Sequence, residues 1–532
     1  MQHSLTRAHY LSALFGALAT FALCGQAGAQ TQTLGPVMYF DGVPPQGGLT
    51  TDGAGLYGAA SGGGYAPGGL LYGLLLDTPA ANPLATLYEY GRRDEWLGAL
   101  PSGTPLLGSD GNLYGSTFLN SIDAIRGTNS GTGTVYRVAR GGQNYTKLFE
   151  FDPYTVDTRL LAIFAPFLID TRMYSINATG LMQLPAGQPF ETQGQLIEGL
   201  EGGVSYLYGT AYQGGPNGTG TIYKIRKDGT GFQVLAPFAP VTLTTDGTRP
   251  DLNADGSLQN PTGLNPTRRL LLGGNGYLYG VTRNGGANGT GVIYRVPVTG
   301  GSIEVLNEFD AIVAGTSTTD PITGIVTTTP ATNAEGGYPQ GGLTLNGGLL
   351  YGTTFRLGAN GVGTVFSIGL DGSGFTVLRA FNTTDGALPS GELIVTNDGM
   401  LAGTTRAGGT LTSTVTTGVG TGVVYKMSLD GQTLSQECIF DSTNGVQGAG
   451  PQDGVLQMAD GNFYGTAPGG LYGYGVIFKC GTPYTGVLVG LRPFVNPNGG
   501  GGALPLWMIT GLAALVGVQM ARNARRRQLV SR

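Results

Sequence analysis

Oxygen-bearing side chains alternate ahead of a glycine turn at Asp251-Leu252-Asn253-Ala254-Asp255-Gly256-Ser257. Hard cations take oxygen ligands, and the spacing of Asp251, Asn253 and Asp255 resembles the opening of a calcium loop. Gln259 and Thr262 stand where a further acidic ligand is wanted, and no second copy occurs, so an ordinary Asx turn is the plainer reading. Calcium is the one cofactor the sequence suggests. Histidine excludes more than it offers. Both, His3 and His9, lie in the N-terminal leader, so Ser-His-Asp, Cys-His and His-ligated zinc chemistry have no residues to work with beyond it. Two carboxylates about 5–10 Å apart would suffice for glycoside hydrolysis, but linear order does not place them. Sialidase-type Asp boxes are absent. Trp96 is the only tryptophan between leader and tail, so a sugar platform would have to use tyrosine. Cys438 and Cys480 fall in neighbouring repeat units, which leaves either a disulfide or two buried thiols.

What must position such groups is a recurring unit, cleanest at residues 341–381. Short apolar runs alternate with Asn-Gly and Asp-Gly turns, the strongest short hairpin signal because both central residues favour φ > 0. Each unit reads as a four-stranded antiparallel meander, strands a to d, that must stack on its neighbours to bury its faces. Strand b carries Leu-Tyr-Gly or a variant around Tyr57, Tyr114, Tyr208, Tyr279, Tyr351, Ala402 and Tyr464, with a degenerate copy at Met173-Tyr174-Ser175. Regular placement makes these tyrosines core rather than a stacking surface, with the following glycine letting neighbouring backbone approach. Strand c carries Gly-x-(Val/Ile)-(Tyr/Phe)-(Lys/Arg) around Tyr136, Tyr223, Tyr294, Phe366, Tyr425 and Phe478. The cations Arg137, Lys224, Arg295, Lys426 and Lys479 are expected as outward rim charges, with a repeated anion site as the alternative. Strand d ends in an aromatic.

Seven units are clear and an eighth, at 160–195, is doubtful. The last unit stops after strand c, while Pro36–Gly42 has the phase of an orphan strand d. A ring closed by that strand would remove exposed sheet edges. The expected fold is therefore all-β, a β-propeller of seven or eight four-stranded blades closed by the N-terminal strand, with a β-solenoid or sandwich array as the rival. Long insertions fall only in b–c links (118–132, 406–421) and d–a links (239–268, 311–340), which emerge on one face of an up-and-down blade. Binding is expected on that face.

These strings resemble the GloVer tandem repeat, named for Gloeobacter and Verrucomicrobia, over about residues 36–480. The resemblance implies a secreted or surface repeat protein with a C-terminal anchor and transfers no catalytic residue. Residues 1–29 read as a signal peptide cut by signal peptidase after Ala29, with Leu11–Leu23 as its apolar run. The boundaries expected beyond it are a repeat domain at 30–485, a Gly-rich linker at 486–502, a transmembrane helix at 503–521 and a basic cytoplasmic tail at 522–532. The Gly499–Gly502 spacer, apolar run and Arg cluster resemble a GlyGly-CTERM sorting signal. That implies processing near Gly502 and Ala503 by a rhomboid-type sorting protease.

Without the leader and tail, 22 Lys and Arg face 33 Asp and Glu, a net charge of about −11. No basic patch stands out, which argues against nucleic acid. The expected function is non-catalytic binding of an extracellular macromolecule or glycan by an exported, membrane-anchored or surface-released protein. A carboxylate-dependent glycan-active hydrolase and a structural surface-layer component are the rivals.

Overall fold

A computed structural model describes residues 33–490, leaving out 40–44, 46, 62–67, 77–83, 91–98, 120, 124–127, 131–132, 152–174, most of 177–193, 243–251, 254–257, 268, 320–325, 413–416, 442–447, 470–474 and 483–488. Seven four-stranded antiparallel sheets follow one another along the chain. Strands a to d are Thr50–Thr51, Gly55–Ala60, Leu70–Leu75 and Leu84–Glu89 in blade 1. Blade 2 uses Ala99–Leu107, Asn112–Leu119, Thr134–Ala139 and Thr146–Glu150. Blade 3 uses Ile197–Glu201, Val204–Ala211, Thr221–Arg226 and Gln233–Pro237. Blade 4 splits its first strand into Asn260–Pro266 and Leu271–Leu272, then uses Tyr277–Gly286, Val292–Pro297 and Glu304–Glu308. Blade 5 uses Thr344–Asn346, Leu349–Thr354, Thr364–Gly369 and Thr376–Ala380. Blade 6 splits strand a into Ala387–Pro389 and Ile394–Val395, followed by Leu401–Ala407, Val423–Met427 and Leu434–Ile439. Blade 7 has Leu456–Gln457, Phe463–Ala467 and Val476–Gly481, and takes its fourth strand from the other end of the chain, Thr33–Tyr39.

The core lies between the blades, divided among seven apolar clusters. Each joins one blade to the next, and one joins blade 7 to blade 1 through Met458, Tyr464 and Ile477 against Leu49, Leu56 and Tyr72. A mid-sheet strand is thus covered on both faces, so Gly55–Ala60, Thr364–Gly369 and Val476–Gly481 are buried at every position. Continuous apolar runs are what such burial demands.

Closure reproduces the repeat in detail. In blades 1 to 6 the d strand breaks register opposite the strand-c aromatic, as at Val365/Phe366 in blade 5, where Leu378 is skipped. The closing strand does the same: Phe478 pairs with Pro36 and Ile477 with Met38, skipping Val37. An inner bond closes the ring a second time, Thr466 Oγ1 donating to Gly47 O at 2.8 Å. A disulfide, Cys438–Cys480, joins blades 6 and 7 with a Cα–Cα distance of 6.0 Å. Leu34 of the closing strand sits opposite Cys480. Beyond the closing strand, Val489–Gly490 adds a short parallel pairing.

The closing strand thus spans Thr33–Tyr39 rather than Pro36–Gly42. Among the described residues seven blades form. Within 160–195 the described strands are two-residue ladders, Ser175–Ile176 with Met182–Gln183 and Pro189–Phe190 with Gln213–Gly214. Strand c of blade 1 carries Tyr72, missed in the sequence because Gly73 follows it instead of a cation. Ala29, Gly502, Ala503 and the expected membrane helix at 503–521 lie outside the described residues. Among the described residues no helix is long and apolar enough to cross a membrane.

Candidate functional site

The Leu-Tyr-Gly tyrosines are core, as their spacing implies: Tyr114 and Tyr279 are fully buried and Tyr57, Tyr208, Tyr351 and Tyr464 nearly so. Their hydroxyls reach the a–b turn, where Asp52 accepts from Tyr57 (2.9 Å), Asp110 from Tyr114 (2.7 Å) and Asp460 from Tyr464 (3.1 Å). The glycine after each tyrosine makes room for a side chain, not for neighbouring backbone as expected. A Cβ on Gly352 would stand 2.5 Å from Phe366 Cζ, and the same collision recurs in every blade with the strand-c aromatic.

Four of the cations after those aromatics are ion-paired at the sheet edge rather than free outward charges. Both blade faces are covered, so the side chains run along the sheet to acids at its edge. Lys224 pairs with Glu201, Lys426 with Asp398 (2.6 Å), Lys479 with Asp460 (3.4 Å) and Arg295 with Glu304 (2.8 Å). Lys224 is buried. These pairs also leave the proposed repeated anion site without free cations at these four positions.

The face formed by a–b and c–d turns is therefore tight and charge-paired. Between blades 2 and 3, Ser109, Asp110, Glu198, Ser205 and Lys227 form one network. Lys227 Nζ lies 2.9 Å from Glu198 and 3.1 Å from Asp110. Burial alone would raise the Glu198 carboxyl, but hydrogen bonds from the Ser109 and Ser205 hydroxyls and from Lys227 outweigh it and hold it at about 2.

The opposite face carries the extra structure. Every described two-stranded ladder outside the blades involves a b–c or d–a link: Ser121–Asp123 with Thr128–Ser130, Thr410–Thr412 with Thr417–Val419, Ser317–Thr319 with Val326–Thr328, and the two ladders before blade 3. Val313, Val326, Leu252 and Leu258 stand exposed there. Side chains in the b–c links fix this face to the blades. Asn217, Asn288 and Asn360 each donate to the carbonyl of the aromatic ending strand d, Phe238 (2.7 Å), Phe309 (2.9 Å) and Phe381 (2.9 Å). In the 311–340 link, burial pushes the Glu335 carboxyl up and the Asp310 charge adds to it, against a hydrogen bond from Asn307 (3.3 Å).

Of the calcium candidates, Asp251 and Asp255 lie outside the described residues. Asn253 accepts from Gln259 Nε2 at 2.9 Å, and Leu252 bridges to Leu258. Among the described residues no group of three or more acidic, His or Cys side chains is placed to hold a metal ion.

At the axis, residues at or near the start of strand a in six of the seven blades line a cavity of about 200 Å³. Thr104, Gln195, Arg269, Glu392 and Asp453, from five different blades, line it with Gly48 and Gly454. Arg269 is ion-paired with Glu392 across blades 4 and 6. No sequence signal marked these residues: Thr104, Gln195, Arg269 and Glu392 stand where other units have glycine, and Asp453 precedes that position.

Residues 316–522 match the family model described as the Gloeobacter/Verrucomicrobia repeat. The match takes in blades 5 to 7 and runs into the C-terminal stretch. No curated protein sequence matches. Similar solved structures include the BT4673 extracellular domain from B. thetaiotaomicron, at 11% identity and TM-score 0.40, covering 84% of this chain and 39% of that one. The chain thus spans about two-fifths of that structure. An oligogalacturonate lyase in complex with manganese is similar at 11% identity and TM-score 0.42, covering 86% of this chain and 92% of that one. The PL25 ulvan lyase is similar at 13% identity and TM-score 0.39, covering 77% and 86%. Likenesses of this order say nothing of chemistry.

Proposed function

We propose that this is an exported, membrane-anchored or surface-released propeller that binds an extracellular macromolecule or glycan, without catalysis, through the face built by its b–c and d–a links. One observation carries the reading: every described ladder added to the seven blades involves links of that face, while the other face is closed by tight, ion-paired turns. Loops on a rigid scaffold are where recognition usually resides. Exposed Val313 and Val326 supply apolar contact beside the Ser317–Thr319/Val326–Thr328 hairpin. The test is a glycan array and an envelope-extract pull-down with the full chain and with a variant lacking residues 314–329. A partner retained equally by both, or captured by neither, overturns the reading. Sedimentation of the same samples into ordered assemblies would favour the surface-layer role instead.

Glu335 favours a second reading. A carboxyl raised by burial near a second carboxylate is the arrangement of a glycosidic acid and its partner. A hydrolase panel with Glu335→Gln decides it: turnover in the parent that the variant loses would make the protein an enzyme.

A further inference from the structure

Besides its links, the repeat departs from regularity at the axis. Strand a starts with an apolar residue in the same repeat position in six blades, Leu49, Leu196, Leu270, Leu343, Leu393 and Val455, all buried. The residue just before it is Gly48, Gln195, Arg269, Gly342, Glu392 and Gly454 in turn, with Thr104 the counterpart in blade 2. A position serving only the ring would take one residue throughout. Here it is glycine in three blades and a polar side chain in four, and the glycines keep the space open. A Cβ at Gly342 would meet Arg269 Cβ at 3.1 Å and Glu392 Oε2 at 3.4 Å; one at Gly48 would meet Thr104 Oγ1 at 3.1 Å and Asp453 Cγ at 3.5 Å.

We propose that this axial cavity is a receptor for a single neutral hexopyranose unit. Its volume of about 200 Å³ would hold about seven waters at ~30 Å³ each, close to the number of oxygens in one hexopyranose. Hydroxyls that replace those waters can reproduce their hydrogen bonds. The lining suits them: a guanidinium and an amide donate, and two carboxylates, the amide oxygen and a threonine hydroxyl accept. The charge balance selects a neutral sugar. Arg269 is engaged by Glu392, and Asp453 adds a further negative charge, so a uronate would be repelled. Two carboxylates, one of them already ion-paired with a guanidinium, do not make a divalent-cation cage. This site is independent of the loop-face reading.

The test uses the full chain with methyl glycosides of glucose, galactose and mannose, with glucuronate, and with calcium chloride, by saturation-transfer NMR and calorimetry. At least one neutral glycoside should bind in the ~1 mM range, with glucuronate at least about tenfold weaker. Gln195→Leu and Asp453→Asn should each weaken that binding about tenfold or more without changing the melting temperature. Should either variant lose its fold, Gly48→Ala, which narrows the cavity, serves in its place. Absence of binding by every neutral glycoside overturns the proposal, as does equal affinity for glucuronate or tighter binding of calcium. Binding that survives the axial variants but is lost on deleting residues 314–329 places the sugar on the loop face. That outcome refutes the axial site and supports the loop-face reading.

Discussion

Replacing Gly352 by alanine isolates the contact on which every blade depends. Gly352 has no left-handed φ, so alanine is free of backbone strain there and would even stabilise by about 0.4–1 kcal/mol through the unfolded chain. Against that stands a collision. The new Cβ would lie 2.5 Å from Phe366 Cζ and 2.9 Å from Leu343 Cδ2, about 1 Å inside a comfortable carbon–carbon separation. Overpacking of this kind costs roughly 1–3 kcal/mol, so the net loss should be about 1–2 kcal/mol. Phe366→Leu alone should cost about 1–2 kcal/mol as a partial cavity. Together, the leucine withdraws the ring tip that the alanine strikes, and the double variant should be more stable than the sum of the two losses by about 1 kcal/mol. Urea unfolding of the parent, both single variants and the double measures this. Gly347→Ala is the control: Gly347 has φ +59° with open space around it, so its cost is conformational and Phe366→Leu should not relieve it. Strict additivity at Gly352, or relief at Gly347, would refute the packing account.

Three further outcomes are expected. Cys438→Ser with Cys480→Ser opens a cross-link spanning 42 residues and should cost about 4 kcal/mol by the chain-entropy relation, with faster amide exchange around Leu34. Tyr294→Phe should leave stability unchanged or raise it by about 1 kcal/mol in a thermal melt, because the buried hydroxyl has no partner among the described residues; phenylalanine already fills that position at Phe366 and Phe478. Glu198 has a folded-state value of about 2, below its ordinary 4.5. Its stabilisation is therefore present above pH ~4.5 and lost as pH falls towards 2, about 1–2 kcal/mol after solvent screening; Glu198→Gln should flatten that limb of the pH–stability curve.

The blades were legible because each is built from local signals, Asn-Gly and Asp-Gly turns between apolar runs. Closure was legible because the chain begins out of phase. The fate of Lys224 and Lys479 was not. Alternation along a strand says which face a side chain takes, but not that both faces are covered. Tyr72 escaped because its unit lacks the cation used as a marker. The insertion face followed from link lengths alone. The axial cavity could not follow, since Thr104 and Asp453 lie about 350 residues apart and meet only once the ring is complete.

The pairing of Leu34 with Cys480 also sets an order of events. The Thr33–Tyr39 segment is made before any of the blades and is the last to find its place, since its partner Val476–Gly481 lies at the far end of the repeat domain. Contacts of such sequence separation form slowly, and until this one forms, blade 7 lacks its outer strand and blade 1 its neighbour. Maturation should therefore be governed by the joining of two distant ends, and a chain truncated before Val476 would leave its first strand with nothing to join.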